Sequence, residues 1–242
     1  MWLGNASKYR IINQISGHAG AVILDYGAGP GSNWAYIFPQ LKDVTLYLLE
    51  PDPVVNAVLR KNVAHLGDRV HIISEIDPRL RFDYILSFSV FEHVAHPASY
   101  LSVARKHLAA NGRFFLNYDD GHFQHWIDLG NPRSWRAGLS GLWARVKAPL
   151  ARLMGRTSLD LNRHSEAEIE ALIKANGFQV DKKIYENFAT LKNMFKACPS
   201  DQQAAFMQRW CELEQSANAL AVDNSWIQPH CYSVTFELVA NQ

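Results

Sequence analysis

Residues 22–31 read VILDYGAGPG, and this stretch decides the fold. An apolar run, Ala21 to Leu24, ends at an acid, Asp25, and then breaks into glycine at every second position: Gly27, Gly29 and Gly31. An apolar run of this length bounded by glycine reads as a buried strand feeding a tight turn. Glycine there lets the backbone take positive φ and lets a ligand approach without meeting a Cβ. The turn is expected to open a helix over about 33–38, with its free N–H groups towards the ligand.

Two ligand classes use such a turn. Dinucleotide folds carry G-x-G-x-x-G and seat a pyrophosphate on the helix N-terminus. Here the spacing is G-x-G-x-G, Ser32 stands where the third dinucleotide glycine falls, and Asp25 precedes the turn. An acid suits a ligand that carries an amino group better than one that carries phosphates.

Residues 44–50, VTLYLLE, form a second buried strand closed by an acid, Glu50, about 20 residues past the glycines. An acid at that point accepts hydrogen bonds from both ribose hydroxyls in dinucleotide folds. A third strand covers Val70 to Ser74, followed by Glu75, Ile76 and Asp77. A fourth runs through FDYILSFSVFEHV, residues 82–94, into Ser87 and Phe88 and then a polar turn with Glu92 and His93. A helix over Ala98 to Leu108, stopped by Asn111-Gly112, leads to a fifth strand from Gly112 to Tyr118.

This series of motifs resembles the class I, Rossmann-like S-adenosylmethionine-dependent methyltransferases, in their small-molecule and quinone-type branch. The resemblance is carried by residues 20–120 and continues weakly to the end. It implies S-adenosyl-L-methionine as methyl donor and S-adenosyl-L-homocysteine as product. It assigns the cofactor to Asp25, Gly27, Ala28, Gly29 and Gly31 at the first turn, and to Glu50 with the flanking Pro51 and Asp52 at the second. Glu75 with Ile76 is placed beside the adenine, with Asp77 as the alternative two residues on. Ser87 and Phe88 line the methionine end.

Strands alternating with helices argue for a parallel sheet covered on both faces. The rhythm stops after the fifth strand and resumes with a helix from Ser165 to Asn176, where Ser165 and Glu168 have capping-box spacing. A strand from Phe178 to Tyr185 follows, then a helix over about Asp201 to Leu220 and a final strand from Cys231 to Val239. On that helix Phe206, Trp210, Leu213, Ala217 and Leu220 form an apolar stripe read as core. The expected architecture is therefore α/β: a three-layer Rossmann-like sandwich with a seven-stranded, mostly parallel sheet. Its last strand is antiparallel, and a helical insertion follows the fifth. The whole chain, 1–242, reads as one methyltransferase domain in which 121–163 is a lid or substrate-specificity insertion.

The insertion holds Arg133, Arg136, Arg145, Lys147, Arg152, Arg156 and Arg163 against only Asp128 and Asp160. Leu139, Leu142, Trp143, Val146, Leu150 and Leu153 fall on one helical face, with Pro149 set to kink it. A lid over the substrate is the favoured reading. A basic amphipathic surface docking on membrane and an ordinary solvated helix compete with it.

Methyl transfer asks chiefly that the nucleophile be held in line and water excluded. A hydroxyl acceptor must also lose a proton, for which His93 is the first candidate, since imidazole titrates near neutrality. Asp119 and Asp120, at the mouth of the fifth strand, would orient it or bind the acceptor, with His122 and His125 close behind. These four also suggest a divalent-metal site, but the fourth-strand turn offers Glu92 where the metal-dependent branch has an aspartate. No metal is therefore expected.

Lys and Arg total 24 against 23 for Asp and Glu, so overall charge points to no nucleic-acid partner. No Asn- or Asp-Pro-Pro-Tyr/Phe motif follows the fourth strand, which speaks against the nucleic-acid amino-methylating branch. The three cysteines, Cys198, Cys211 and Cys231, have no metal-ligand spacing. With no signal-like start and no apolar run near 18 residues, the expected compartment is the cytoplasm. The expected partner is a small-molecule acceptor, methylated at oxygen: a sugar, a quinone or a polyketide-like compound. Two alternatives stand: an aminopropyl-type transferase on the same scaffold, and a non-catalytic S-adenosylmethionine-binding module. The sequence leaves the oligomeric state open.

Overall fold

The short apolar runs of the sequence assemble into one sheet. The structure, a computed structural model, describes residues 15, 17–118, 164–188, 194, 197–199, 201–231 and 233–241. The insertion 121–163 and the candidates Asp119, Asp120, His122 and His125 lie outside the described residues. Seven strands form one sheet in the order β3-β2-β1-β4-β5-β7-β6. They are β1 (Val22–Tyr26), β2 (Thr45–Leu49), β3 (Val70–Ile73), β4 (Phe82–Ser87), β5 (Leu108–Tyr118), β6 (Phe178–Glu186) and β7 (Ser233–Ala240). Only β7 runs against its neighbours, pairing antiparallel with both β5 and β6.

The parallel centre is apolar on both faces because helices cover both, which is why β1 and β2 read as unbroken apolar runs. Side-chain alternation along the strands divides the core in two. Ile23, Leu46, Leu48, Leu86 and Phe115 pack on one face with Trp34 and Leu59. Leu24, Ile85, Phe114, Leu116 and Tyr118 pack on the other with Leu101, Ile169 and Ile173. The three layers match the expected architecture, and so does the antiparallel last strand.

Five described helices join these strands: α1 (Trp34–Ile37), α2 (Pro53–Val63), α3 (Pro97–His107), α4 (Glu166–Ala175) and α5 (Gln203–Asp223). In α4 the capping box forms as read: the Ser165 side chain accepts from the Glu168 N–H, and the Glu168 carboxylate accepts from the Ser165 N–H. Lys183 on β6 then bonds Glu166 and Glu170 on α4, both at 2.7 Å, tying the helix to the sheet's outer edge.

Three expectations are corrected. The helix after the glycine turn is a single turn, Trp34–Ile37, followed by a 3-10 turn at Phe38–Gln40. Pro39 supplies the break. The fifth strand starts at Leu108, straight from α3, rather than at Gly112. The pairing with β4 is irregular between Phe82 and Tyr84, and a Cβ on Gly112 would sit 2.9 Å from the Phe82 carbonyl. Gly112 is thus a close-approach residue within the strand, not a stop signal. On α5, Leu213 and Leu220 are 44% and 58% exposed, while Trp210, Glu214 and Ala221 are buried. The helix turns a partly polar face inward: Glu214 accepts from the Asn187 N–H at 2.6 Å and Asn218 from the Tyr185 N–H at 2.7 Å. Of the expected stripe, Trp210 is buried and Ala217 packs against the core, whereas Leu213 and Leu220 face outward.

Candidate functional site

In an open α/β sheet, ligands settle at the carboxyl ends of the strands where the strand order reverses. Here that point lies between β1 and β4, with β2 beside them. The glycine turn leaves β1 at this point. Its first residues are fixed by the neighbouring strand: the N–H groups of Gly27 and Ala28 both donate to the Leu49 carbonyl, at 3.1 and 2.9 Å.

Gly27, Gly29 and Gly31 all take positive φ, at 97°, 56° and 64°. The space around them differs. A Cβ on Gly27 would lie 2.5 Å from Val90 Cγ2, and one on Gly31 would lie 2.3 Å from Leu59 Cδ1. A Cβ on Gly29 would meet nothing within 4 Å. The outer two glycines make room for the protein's own side chains, and the middle one faces open space.

Glu50 closes this cradle. One carboxylate oxygen accepts from the Gly29 N–H and the other from the Asp52 N–H, both at 2.9 Å. The Glu50 carbonyl accepts from the Asn56 side chain at 2.9 Å. Each carboxylate oxygen has a second lone-pair direction, so the group can hold the two turns together and still accept from a ligand's hydroxyls.

The other sequence candidates sort by environment. Asp25 is fully buried, and the Trp34 indole donates to it at 2.5 Å, pinning the one-turn helix to β1. Asp52 caps α2, accepting from Val54 N–H at 2.8 Å and Val55 N–H at 3.1 Å. Pro51 is exposed next to it. Asp77 is committed to Arg79 by both carboxylate oxygens, and this bonding holds its carboxyl down at about 2. Glu75 is the exposed acid at the end of β3, with Ile76 half-buried beside it. Ser87 is fully buried and shares a hydrogen bond with the Tyr100 hydroxyl at 2.8 Å, while Phe88 packs into the core.

His93 lies half-buried in a 3-10 turn, Phe91–His93, and its N–H donates to the Val90 carbonyl at 2.8 Å. Among the described residues no group of three or more His, Cys, Asp or Glu is arranged for a metal.

Sequence reasoning missed an aromatic chain beside the cradle. Tyr26 stacks on Tyr100 at 4.0 Å and 6°, and the Tyr100 hydroxyl donates to the Tyr26 carbonyl at 2.9 Å. Burial pushes the Tyr26 phenol up to about 12 and the Tyr100 phenol up as well. Phe91 continues the chain, 6.0 Å from Tyr100 and 6.5 Å from Tyr118. Ser89, in left-handed backbone at φ 55°, turns the chain between β4 and Val90. No local sequence signal marks a serine for that conformation, whereas the tyrosines were readable as aromatic residues but not as neighbours.

A glycine cradle and a strand-end acid at the reversal point define a class of nucleoside-binding α/β protein. The chain matches the methyltransferase-domain family over residues 7–183 and belongs to it. It is an S-adenosylmethionine-dependent methyltransferase by that membership. No curated protein matches it in sequence. Among solved structures, a Haloferax volcanii methyltransferase–activator complex matches with a TM-score of 0.62 at 14% identity, over 99% of this chain and 90% of that one. A Mycobacterium tuberculosis cyclopropane synthase matches at TM-score 0.58 and 18% identity, over 96% and 82%. The magnesium protoporphyrin IX methyltransferase of Synechocystis, solved with S-adenosylhomocysteine, matches at 0.57 and 13%, over 98% and 84%. These likenesses establish a shared fold.

Proposed function

We propose that the chain transfers a methyl group from S-adenosylmethionine to a hydroxyl of a small molecule, of the sugar, quinone or polyketide-like kind. The observation that carries this reading is the open face of Gly29 joined to the Glu50 carboxylate. The turn admits a ligand where a Cβ would fill the space, and the acid stands at its rim to accept from ribose hydroxyls. Glu75 and Ile76 suit the adenine end. Gly27 and the backbone after Ser87 suit the methionine end, next to Val90.

Asp25 supports the site from beneath. Fully buried and bonded to Trp34, it fixes where the turn leaves β1. The bound donor supplies an activated methyl group. The chain's part is then to hold the acceptor oxygen in line and keep water out. Phe91, Tyr100 and Tyr118 provide buried aromatic surface for this at the ends of β4 and β5. His93, with Asp119 and Asp120 beyond β5, remains the set of proton-handling residues offered by the sequence. No described helix is long and apolar enough to cross a membrane.

Incubation with S-adenosylmethionine carrying a deuterated methyl group and a panel of phenols, quinols and sugars tests the reaction by mass spectrometry. A labelled methyl on oxygen is expected. Aminopropyl transfer from the decarboxylated donor would replace this reading with the aminopropyl transferase. Cofactor binding with no labelled product across the panel or in cell extract would replace it with the binding module.

A further inference from the structure

We infer that His164 is the base that takes the proton from the acceptor hydroxyl, an inference that rests on the methyl-transfer reading above. Its Nε2 is buried and makes no hydrogen bond among the described residues. Leaving a buried polar atom without a partner destabilises the fold, so a native fold retains one where something else satisfies it. A bound hydroxyl is such a partner.

The surroundings place this imidazole near the carboxyl end of β5. The His164 N–H donates to the Tyr118 hydroxyl at 3.0 Å, and Tyr118 is the last residue of β5. The imidazole lies 6.3 Å from the Tyr118 ring and 6.4 Å from the Phe91 ring. Phe91 follows Val90, whose methyl groups occupy the space a Cβ on Gly27 would take. A continuous path of contacts thus leads from the glycine turn through Val90 and Phe91 to His164. Ser165, the next residue, is locked by the capping box of α4, which fixes the backbone that carries the imidazole.

In the Nδ1–H tautomer, Nε2 holds a lone pair. The acceptor oxygen gives its proton to Nε2 and forms its bond to the methyl carbon. The electron pair of the breaking carbon–sulfur bond stays on sulfur, leaving a neutral thioether and an imidazolium that returns its proton to water.

Two measurements on the full-length protein test this. The first is the imidazole NMR spectrum of histidine-labelled protein with S-adenosylhomocysteine or S-adenosylmethionine bound, with His164→Gln identifying the signal. His164 is expected to shift between the two complexes, because they differ by one positive charge near the ring. Identical His164 signals in both complexes would overturn the assignment. Absence of binding by either ligand, seen as no heat in titration calorimetry of the same protein, would instead remove the methyl-transfer reading beneath it. The second is turnover on an acceptor that the wild type methylates. His164→Gln should lower kcat by about 100-fold or more with the KM for S-adenosylmethionine unchanged, and abolish the acidic limb of the pH–rate profile. Retained kcat and profile in His164→Gln, or the same loss in His93→Ala alone, would contradict the inference.

Discussion

Gly29 and Gly31 share a backbone conformation and differ in what surrounds them, so the same substitution should do different things at each. Gly31→Ala drives a Cβ into Leu59 and strains the backbone, and should destabilise the protein by about 2–5 kcal/mol in denaturant titrations. Gly29→Ala meets no neighbour, so only the left-handed strain of roughly 1–2 kcal/mol falls on stability. Affinity for S-adenosylhomocysteine should fall at least about tenfold, since the new methyl group occupies the ligand's approach. Equal effects of the two variants on stability and binding would contradict the division of roles. The glycine spacing and both strand-end acids were legible in the sequence. What each acid bonds to was not. That Asp25 faces Trp34 follows from α1 folding back over β1, and Glu50's grip on Gly29 spans two separate turns.

At the scale of elements, legibility followed how local the signal was. The capping box of α4 is complete within four residues, so it was read correctly, and Ser165→Ala should cost about 1 kcal/mol by thermal or chemical denaturation. The inner face of α5 depends on partners far along the chain. Its buried Glu214 and half-buried Asn218 meet backbone N–H groups just past and within β6, which no apolar periodicity reports. Trp210→Ala should therefore cost about 3–5 kcal/mol, whereas Leu213→Ser on the exposed side should stay within about 0.5 kcal/mol. A large loss from Leu213→Ser would restore the stripe expected from sequence. The early start of β5 escaped for a related reason: Gly112 reads as a breaker, and only its approach to the Phe82 carbonyl explains a glycine inside a strand.

Across the whole molecule, seven apolar runs and their order were enough for the sheet, because alternation of strands with helices leaves few ways to bury both faces. The buried tyrosines beside the cradle give the fold a pH dependence of predictable sign. Tyr26 is raised from 10.0 to about 12 by burial, so its contribution is fully present below pH 10 and is lost as the pH rises through about 12. Tyr100 is raised in the same direction. Unfolding free energy should thus fall over this alkaline window, and Tyr26→Phe should flatten the fall. The central claim is that the Gly29–Glu50 cradle binds the methyl donor and its product. Titration calorimetry tests it most directly. S-adenosylmethionine and S-adenosylhomocysteine should each bind at one site, NAD should give no heat, and Glu50→Ala should weaken binding by about 1.5–3 kcal/mol through loss of charge-assisted hydrogen bonds. Binding of NAD, or no binding of either sulfur ligand by the wild-type protein, would contradict the account.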